Sequence, residues 1–108
     1  MDINEFQQWL KEFSEENGRS QSHIFMSIGL LAEGTGTLAS ALKGLESPED
    51  WPSINTLAHK ENRQLLIDGL GEMLGNISSI ASHYDIDLDE VLLRHQEKLT
   101  AFYRTLNN

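Results

Sequence analysis

Apolar residues recur at helical spacing in four segments of this chain. The segments cover about residues 2–16, 21–43, 61–84 and 87–106. In the first segment the periodic positions are Ile3, Phe6, Leu10 and Phe13, and Gly18 is the expected C-terminal stop. Asp87 is the expected N-cap of the fourth segment, with Glu90 placed to complete a capping box. Strand-like alternation is almost absent, so the pattern predicts an all-α, four-helix bundle.

The two central segments are apolar on more than one side. The main stripe of the second helix is Ile24, Ile28, Leu31, Thr35, Leu38 and Leu42, and that of the third is Leu66, Leu70, Met73, Leu74, Ile77, Ile80, Ala81 and Tyr84. A helix that is apolar on two sides packs between neighbours, and two short helices cannot cover both of these. We therefore expect a homodimer or higher homo-oligomer that completes the core.

Glycines interrupt the central helices. Gly29, Gly34 and Gly36 each cost roughly 1 kcal/mol relative to alanine inside a helix. A close approach between helices is the simplest compensation. Gly44 is expected to end the second helix, and residues 45–60, which include Pro48, Trp51 and Pro52, are expected to form a loop.

Length and charge narrow the class of protein. The 108 residues suffice for a single domain, 1–108, with one modest core. The chain has no cysteine, and its net charge of −9 repels phosphate backbones, so nucleic acid is not expected as a partner. No signal peptide or apolar run of membrane-spanning length is recognised, which favours a cytoplasmic protein without membrane contact.

Three runs carry a resemblance to a known family. They are residues 27–33 (SIGLLAE), 70–77 (LGEMLGNI) and the acidic turn 85–90 (DIDLDE). In this order they resemble the MazG-like, all-α nucleotide pyrophosphohydrolases, relatives of dimeric dUTPases and dCTPases. The resemblance covers roughly residues 6–104. It implies a MazG-like helical domain in which carboxylates on two facing helices hold Mg²⁺, and a nucleoside triphosphate is cleaved to monophosphate and pyrophosphate, typically to remove unwanted nucleotides.

The family's metal-binding motifs are degenerate in this chain. The resemblance places a preserved glutamate at Glu33, but the four ligand positions fall on Gly34, Thr37, Gly69 and Glu72. Three of the four therefore lack a carboxylate, and Mg²⁺ affinity depends strongly on the number of charged ligands. The resemblance thus implies an inactive or impaired homologue that binds a nucleotide or a protein partner.

Two alternatives remain open. In the first, Glu33, Asp68 and Glu72 still hold Mg²⁺ and the protein is an active pyrophosphohydrolase of (d)NTPs, although Glu33 and Asp68 are each rotated about 100° from a ligand position. In the second, these acids lie on a solvated face of a purely structural helical dimer. The resemblance also implies that Gly34 and Gly36 of the second helix face Gly69 and Gly71 of the third. These glycines either let the central helices close over the site or leave an enlarged pocket.

Three further residues are candidate phosphate or nucleotide contacts. Asn76 follows the second motif, and Lys98 and Arg104 match basic positions near the C-terminus of the family. The two basic residues also fit a purely structural role, because cations near the end of a last helix are favourable to its dipole.

Overall fold

The computed structural model of the chain describes residues 1–18, 24–46 and 55–107. The helices are α1 (Ile3–Glu16), α2 (Ile24–Glu46), α3 (Asn55–His83) and α4 (Leu88–Leu106). The described residues form no strand, and the prediction of an all-α, four-helix bundle is confirmed. The loops that join α1 to α2 and α2 to α3, including Pro48, Trp51 and Pro52, lie outside the described residues.

The central helices are longer than the apolar pattern predicts. α2 continues through Gly44 to Glu46, and α3 begins at Asn55 rather than near residue 61. The extension of α3, residues 55–60, holds a single large apolar residue, Leu57, so no apolar period marks it, but Ala58 and Lys60 are good helix formers. The prediction of a loop over 45–60 is therefore wrong at both of its ends.

α1 ends as predicted, and three of the four residues of its predicted stripe, Ile3, Phe6 and Leu10, are half-buried on its inward side. Asn17 and Gly18 follow the helix, and Gly18 has a φ of +69°, a left-handed conformation that glycine adopts at no steric cost. The inward face includes Gln7, which is only 8% exposed, whereas Phe13 of the predicted stripe is 45% exposed. Phe13 instead stacks on Trp9, with ring centroids 4.9 Å apart. Phe13 is therefore the one residue of the predicted stripe that does not face inward, and it stacks along α1 instead.

α1, the C-terminal end of α3 and α4 belong to one compact unit. Asp87 is the N-cap of α4, but its side chain makes no capping hydrogen bond, so the predicted capping box is not formed. The backbone N–H of Leu88 donates instead to Oε1 of Gln7 over 2.9 Å, and Nε2 of Gln7 donates to the carbonyl of Ile86 over 2.8 Å. A side chain of α1 therefore satisfies the backbone groups at the start of α4.

α2 and the remainder of α3 form the second compact unit. Gly34 lies opposite Met73, and Leu38 lies opposite Gly69. Among these facing residues, the residue number increases along α2 while it decreases along α3. The helices are therefore antiparallel. The less exposed positions of α2 alternate in steps of three and four, as in coiled coils, and are Ile24, Ser27, Leu31, Gly34, Leu38, Ala41 and Leu45. We call the contact line between the two helices the seam.

The composition of α2 also meets the criteria for a membrane span. Its 23 residues are long and apolar enough to cross a bilayer on length and composition, which the sequence pattern did not lead us to expect. An apolar helix in the interior of a soluble assembly passes the same test. Length and hydropathy therefore do not distinguish a bilayer-spanning helix from the core helix of a soluble protein or from a signal sequence.

Candidate functional site on the α2–α3 pair

Two glycines at positions that the resemblance to MazG-like enzymes assigns to metal ligands lie in the seam. A Cβ atom added at Gly69 would lie 2.6 Å from Cδ2 of Leu38, and one added at Gly34 would lie 3.5 Å from Cγ of Met73. Each glycine thus faces a large apolar side chain of the other helix. The predicted close approach is present, but glycine packs against leucine or methionine and not against another glycine.

Gly36 and Gly71 take no part in this contact. A Cβ atom added at either residue would meet nothing within 4 Å. Each lies two residues from a seam glycine, which rotates it by about 200° on the helix. The expectation that they face each other across the seam is wrong, because only one side of each helix points inward.

The space above Gly69 is filled. Gly69 is buried, and Leu38 occupies the position that a side chain at residue 69 would need. Of the two alternatives for the glycines, an enlarged pocket and a closed contact, the structure has the closed contact at this residue. Dense packing of this kind leaves no room for a phosphate between the helices at this level.

The acidic candidates lie beside the seam and not in it. Helical geometry places Glu33 and Thr37 on one flank of α2, and Asp68 and Glu72 on the corresponding flank of α3. In an antiparallel pair, corresponding flanks lie on the same side. The four side chains therefore share one side of the α2–α3 pair, which we call the acidic side, and all four are exposed.

Local hydrogen bonds already engage several of these groups. Oγ1 of Thr37 donates to the backbone carbonyl of Glu33 over 3.4 Å, and Oδ1 of Asp68 accepts from Nε2 of Gln64 over 3.0 Å. The amide nitrogen of Asn76 donates to the carbonyl of Glu72 over 3.0 Å. These bonds join neighbouring turns of the same helix and do not assemble a site between helices.

The donor set does not fit the family's magnesium site. Mg²⁺ requires about six oxygen ligands in a near-octahedral arrangement, and several carboxylates or phosphates supply its charge. Asp68 and Glu72 are one turn apart on α3, but in the described part of the chain no three acidic, histidine or cysteine side chains converge on one point. Glu33, Asp68 and Glu72 therefore share a side without forming a coordination cluster.

The remaining candidates lie elsewhere in the chain. Lys98 and Arg104 are exposed on α4, in the unit that contains α1. Their role toward a nucleotide stays a prediction.

A second polar region surrounds the junction of α3 and α4. A groove of about 480 Å³ there is lined by Asn4, Gln7, Gln8, Lys11, Ser82, Asp85, Ile86 and Asp87. The buried residue in this lining is Gln7, and its side-chain amide already forms hydrogen bonds with Ile86, Leu88 and Ser82. The sequence signal for this region is Gln7, a polar residue between Ile3 and Leu10 on the apolar face of α1, and helical periodicity alone gives it no weight.

The helices and the α2–α3 seam define a small all-α protein with an acidic side. The chain is 36% identical over 100 residues to the uncharacterized protein YvdC of Bacillus subtilis, and the match covers 93% of this chain and 94% of YvdC. The chain therefore belongs to the same family as YvdC. No family model matches the chain, and no solved structure matches it. The resemblance to MazG-like enzymes accordingly stays a prediction.

Proposed function

We propose that this chain is a MazG-like protein whose pyrophosphohydrolase site has lost its metal ligands, and that it acts by binding a nucleotide or a protein partner. The observation that carries the proposal is the identity of the former ligand positions. Gly34, Thr37 and Gly69 contribute no carboxylate, and Leu38 and Met73 pack against the two glycines. The seam would have to open before a carboxylate at residue 69 could reach a metal.

Charge supports the part of the proposal that concerns the lost pyrophosphohydrolase activity. A triphosphate brings several negative charges, and the chain itself carries a net charge of −9. Catalysis of phosphate transfer depends on metal ions that neutralise the developing charge. With only Glu72 retained among the four ligand positions, the acidic side lacks the ligands for a metal ion that would neutralise a triphosphate and stabilise its cleavage.

A panel of NTPs and dNTPs, incubated with the protein and Mg²⁺ or Mn²⁺, tests this proposal. We expect no release of monophosphate and pyrophosphate above a no-protein control. Turnover that disappears in the Glu72→Ala variant would overturn the proposal in favour of an active enzyme. Calorimetry with Mg²⁺ and with each nucleotide then separates nucleotide binding from a role in protein interaction.

The active enzyme is the second candidate, because Glu33, Asp68 and Glu72 share one exposed side of the α2–α3 pair. In that case Mg²⁺ would be the cofactor and these three carboxylates its ligands. Loss of turnover in both Asp68→Asn and Glu72→Gln, with unchanged helix content, is the result that this candidate requires.

We also propose that the protein is a homodimer or higher homo-oligomer in the cytoplasm. Among the described residues, the buried hydrophobic side chains are only Ala41, Ala81 and Leu88, while most of the large ones are exposed. So few buried side chains do not offset the conformational entropy of folding, which requires a larger apolar core. Light scattering gives the mass against 12.2 kDa for one chain, and cell fractionation gives the location.

A further inference from the structure

α2 and α3 carry a second apolar surface on the side opposite the acids. We call it the outer apolar face, and it consists of Ile28, Thr35 and Leu42 on α2 and Ile67, Leu70, Leu74 and Ile77 on α3. Its six aliphatic side chains are each 39–56% exposed. They are therefore partly in contact with the seam and partly uncovered.

Helical geometry places these residues on one side. Ile28, Thr35 and Leu42 are spaced by seven residues, which returns each to nearly the same direction on α2. Leu70, Leu74 and Ile77 follow the i, i+4, i+7 spacing of one stripe on α3. Both stripes are rotated from the seam in the sense opposite to that of Glu33 and Glu72. The antiparallel arrangement therefore unites them into one face.

The outer apolar face is free of charge over its length. Between residues 28 and 42 the charged residue is Glu33, and between 67 and 77 the charged residues are Asp68 and Glu72. All three belong to the acidic side. The α2–α3 pair thus keeps its charges off the outer apolar face, whereas the acidic side carries both acids and exposed aliphatic side chains such as Leu30 and Leu65.

We infer that the outer apolar face is the dimer interface, and that its occupant is the same face of a second copy. This inference rests on the proposed homodimer and adds the surface through which it forms. Two helical pairs that meet through such faces make a four-helix packing arrangement, with α2 and α3 contributed by each copy. Because the acids lie on the opposite side, the two negatively charged chains meet without bringing carboxylates together.

The exposed apolar area of the outer apolar face agrees with that of a homodimer interface. Its half-exposed aliphatic side chains leave on the order of 500 Å² of apolar surface. A standard interface buries about 800 Å² on each partner, and homodimer interfaces are about 65% apolar, which again gives roughly 500 Å². The interface also covers Ile28 and Leu42, two of the exposed apolar residues of α2.

A matched pair of lysine substitutions on α3 tests the interface. Leu70 on the outer apolar face is 48% exposed, and Leu65 on the acidic side, seven residues before Glu72, is 50% exposed. We expect Leu70→Lys to weaken dimerisation at least about tenfold, because the ammonium would be buried in an apolar contact. Leu65→Lys should leave the dimerisation constant unchanged. Sedimentation equilibrium measures both, and circular dichroism checks that each variant keeps its helices.

Cysteine labelling provides a second measurement that does not perturb the apolar residues. The chain has no cysteine, and Thr35 and Thr37 are both exposed on α2, the first on the outer apolar face and the second on the acidic side. At concentrations where the wild type is dimeric, a thiol at residue 35 would be covered by the second copy, and a thiol at residue 37 would not. Thr35→Cys should therefore react with a maleimide at least about tenfold more slowly than Thr37→Cys.

The possible outcomes distinguish an error in the choice of interface from an error in the proposed homodimer itself. A dimer that tolerates Leu70→Lys, with equal labelling of the two cysteines, overturns the outer apolar face as the interface and leaves the dimer intact. A wild-type protein that remains monomeric at all concentrations overturns both. Protein that is recovered with lipid vesicles, and in which the Thr35→Cys thiol is protected only by lipid, assigns the face to a bilayer and also overturns the inference.

Discussion

Alanine substitutions at two glycines of α3 test the packing of the seam. Gly69 lies in the seam against Leu38, whereas a Cβ atom at Gly71 would meet nothing within 4 Å. The two residues belong to the same helix and differ only in what lies opposite. Comparing Gly69→Ala with Gly71→Ala therefore isolates the contact between α2 and α3 from helix propensity.

The structure gives the expected magnitudes. Either substitution gains about 1 kcal/mol of helix propensity in the free energy of unfolding. Gly71→Ala should keep this gain. At Gly69 the new methyl group would lie 2.6 Å from Cδ2 of Leu38, so that side chain must move, and overpacking of this kind costs about 1–3 kcal/mol. We expect Gly69→Ala to be neutral or destabilised by up to about 2 kcal/mol.

Urea unfolding at one fixed protein concentration measures the difference, since an oligomer's stability depends on concentration. The Leu38→Ala substitution supplies the control, because shortening Leu38 removes the atom that Gly69→Ala would strike. In the Leu38→Ala background, Gly69→Ala should regain most of the gain seen at Gly71. If Gly69→Ala stabilises the wild-type protein as much as Gly71→Ala does, the proposed contact between Leu38 and Gly69 is wrong.

Two further predictions concern the ends of the helices. Gln7→Leu should lower the free energy of unfolding by about 1–3 kcal/mol, because the N–H of Leu88 loses its acceptor. The control, Gln8→Leu on the exposed side of α1, should change the free energy of unfolding by less than about 0.5 kcal/mol. Thermal unfolding measures both variants, and equal effects would contradict the role of Gln7. The hydrogen bond from the backbone N–H of Glu5 lowers the pKa of Asp2 below its ordinary value of 3.8. The ionised Asp2 therefore stabilises α1 above pH 3.8, and this contribution is lost as the pH falls through the lowered pKa. Acid titration of stability should therefore fall less steeply in Asp2→Asn than in the wild type, and identical curves would refute this.

The candidate site was partly predictable. The positions of Glu33, Asp68 and Glu72 on adjacent helical faces follow from their spacing, and the structure has them on one exposed side. What lies opposite each glycine of the seam was not predictable. Whether Gly69 faces another glycine or a leucine depends on the register between α2 and α3, and each helix's own sequence is compatible with several registers.

The role of Gln7 shows a second limit. Its hydrogen-bond partners at Ile86 and Leu88 are 79 and 81 residues away in the chain. A glutamine on an apolar helix face is unfavourable when considered alone, because an unpaired buried amide is costly. Only the tertiary contact that brings α1 to the start of α4 makes this residue favourable there.

The sequence by itself determined the four helices, the stop at Gly18, the start of α4 after Asp87, and the strong negative charge. Local periodicity and turn residues are sufficient for these features because their energetics act within a few residues. The tertiary structure decided which side of α2 forms the seam, since that helix is apolar on two sides. The choice depends on side-chain size across the contact: Leu38 fits against Gly69, and Met73 fits against Gly34. The other apolar side is left exposed, and the acids are left beside the seam.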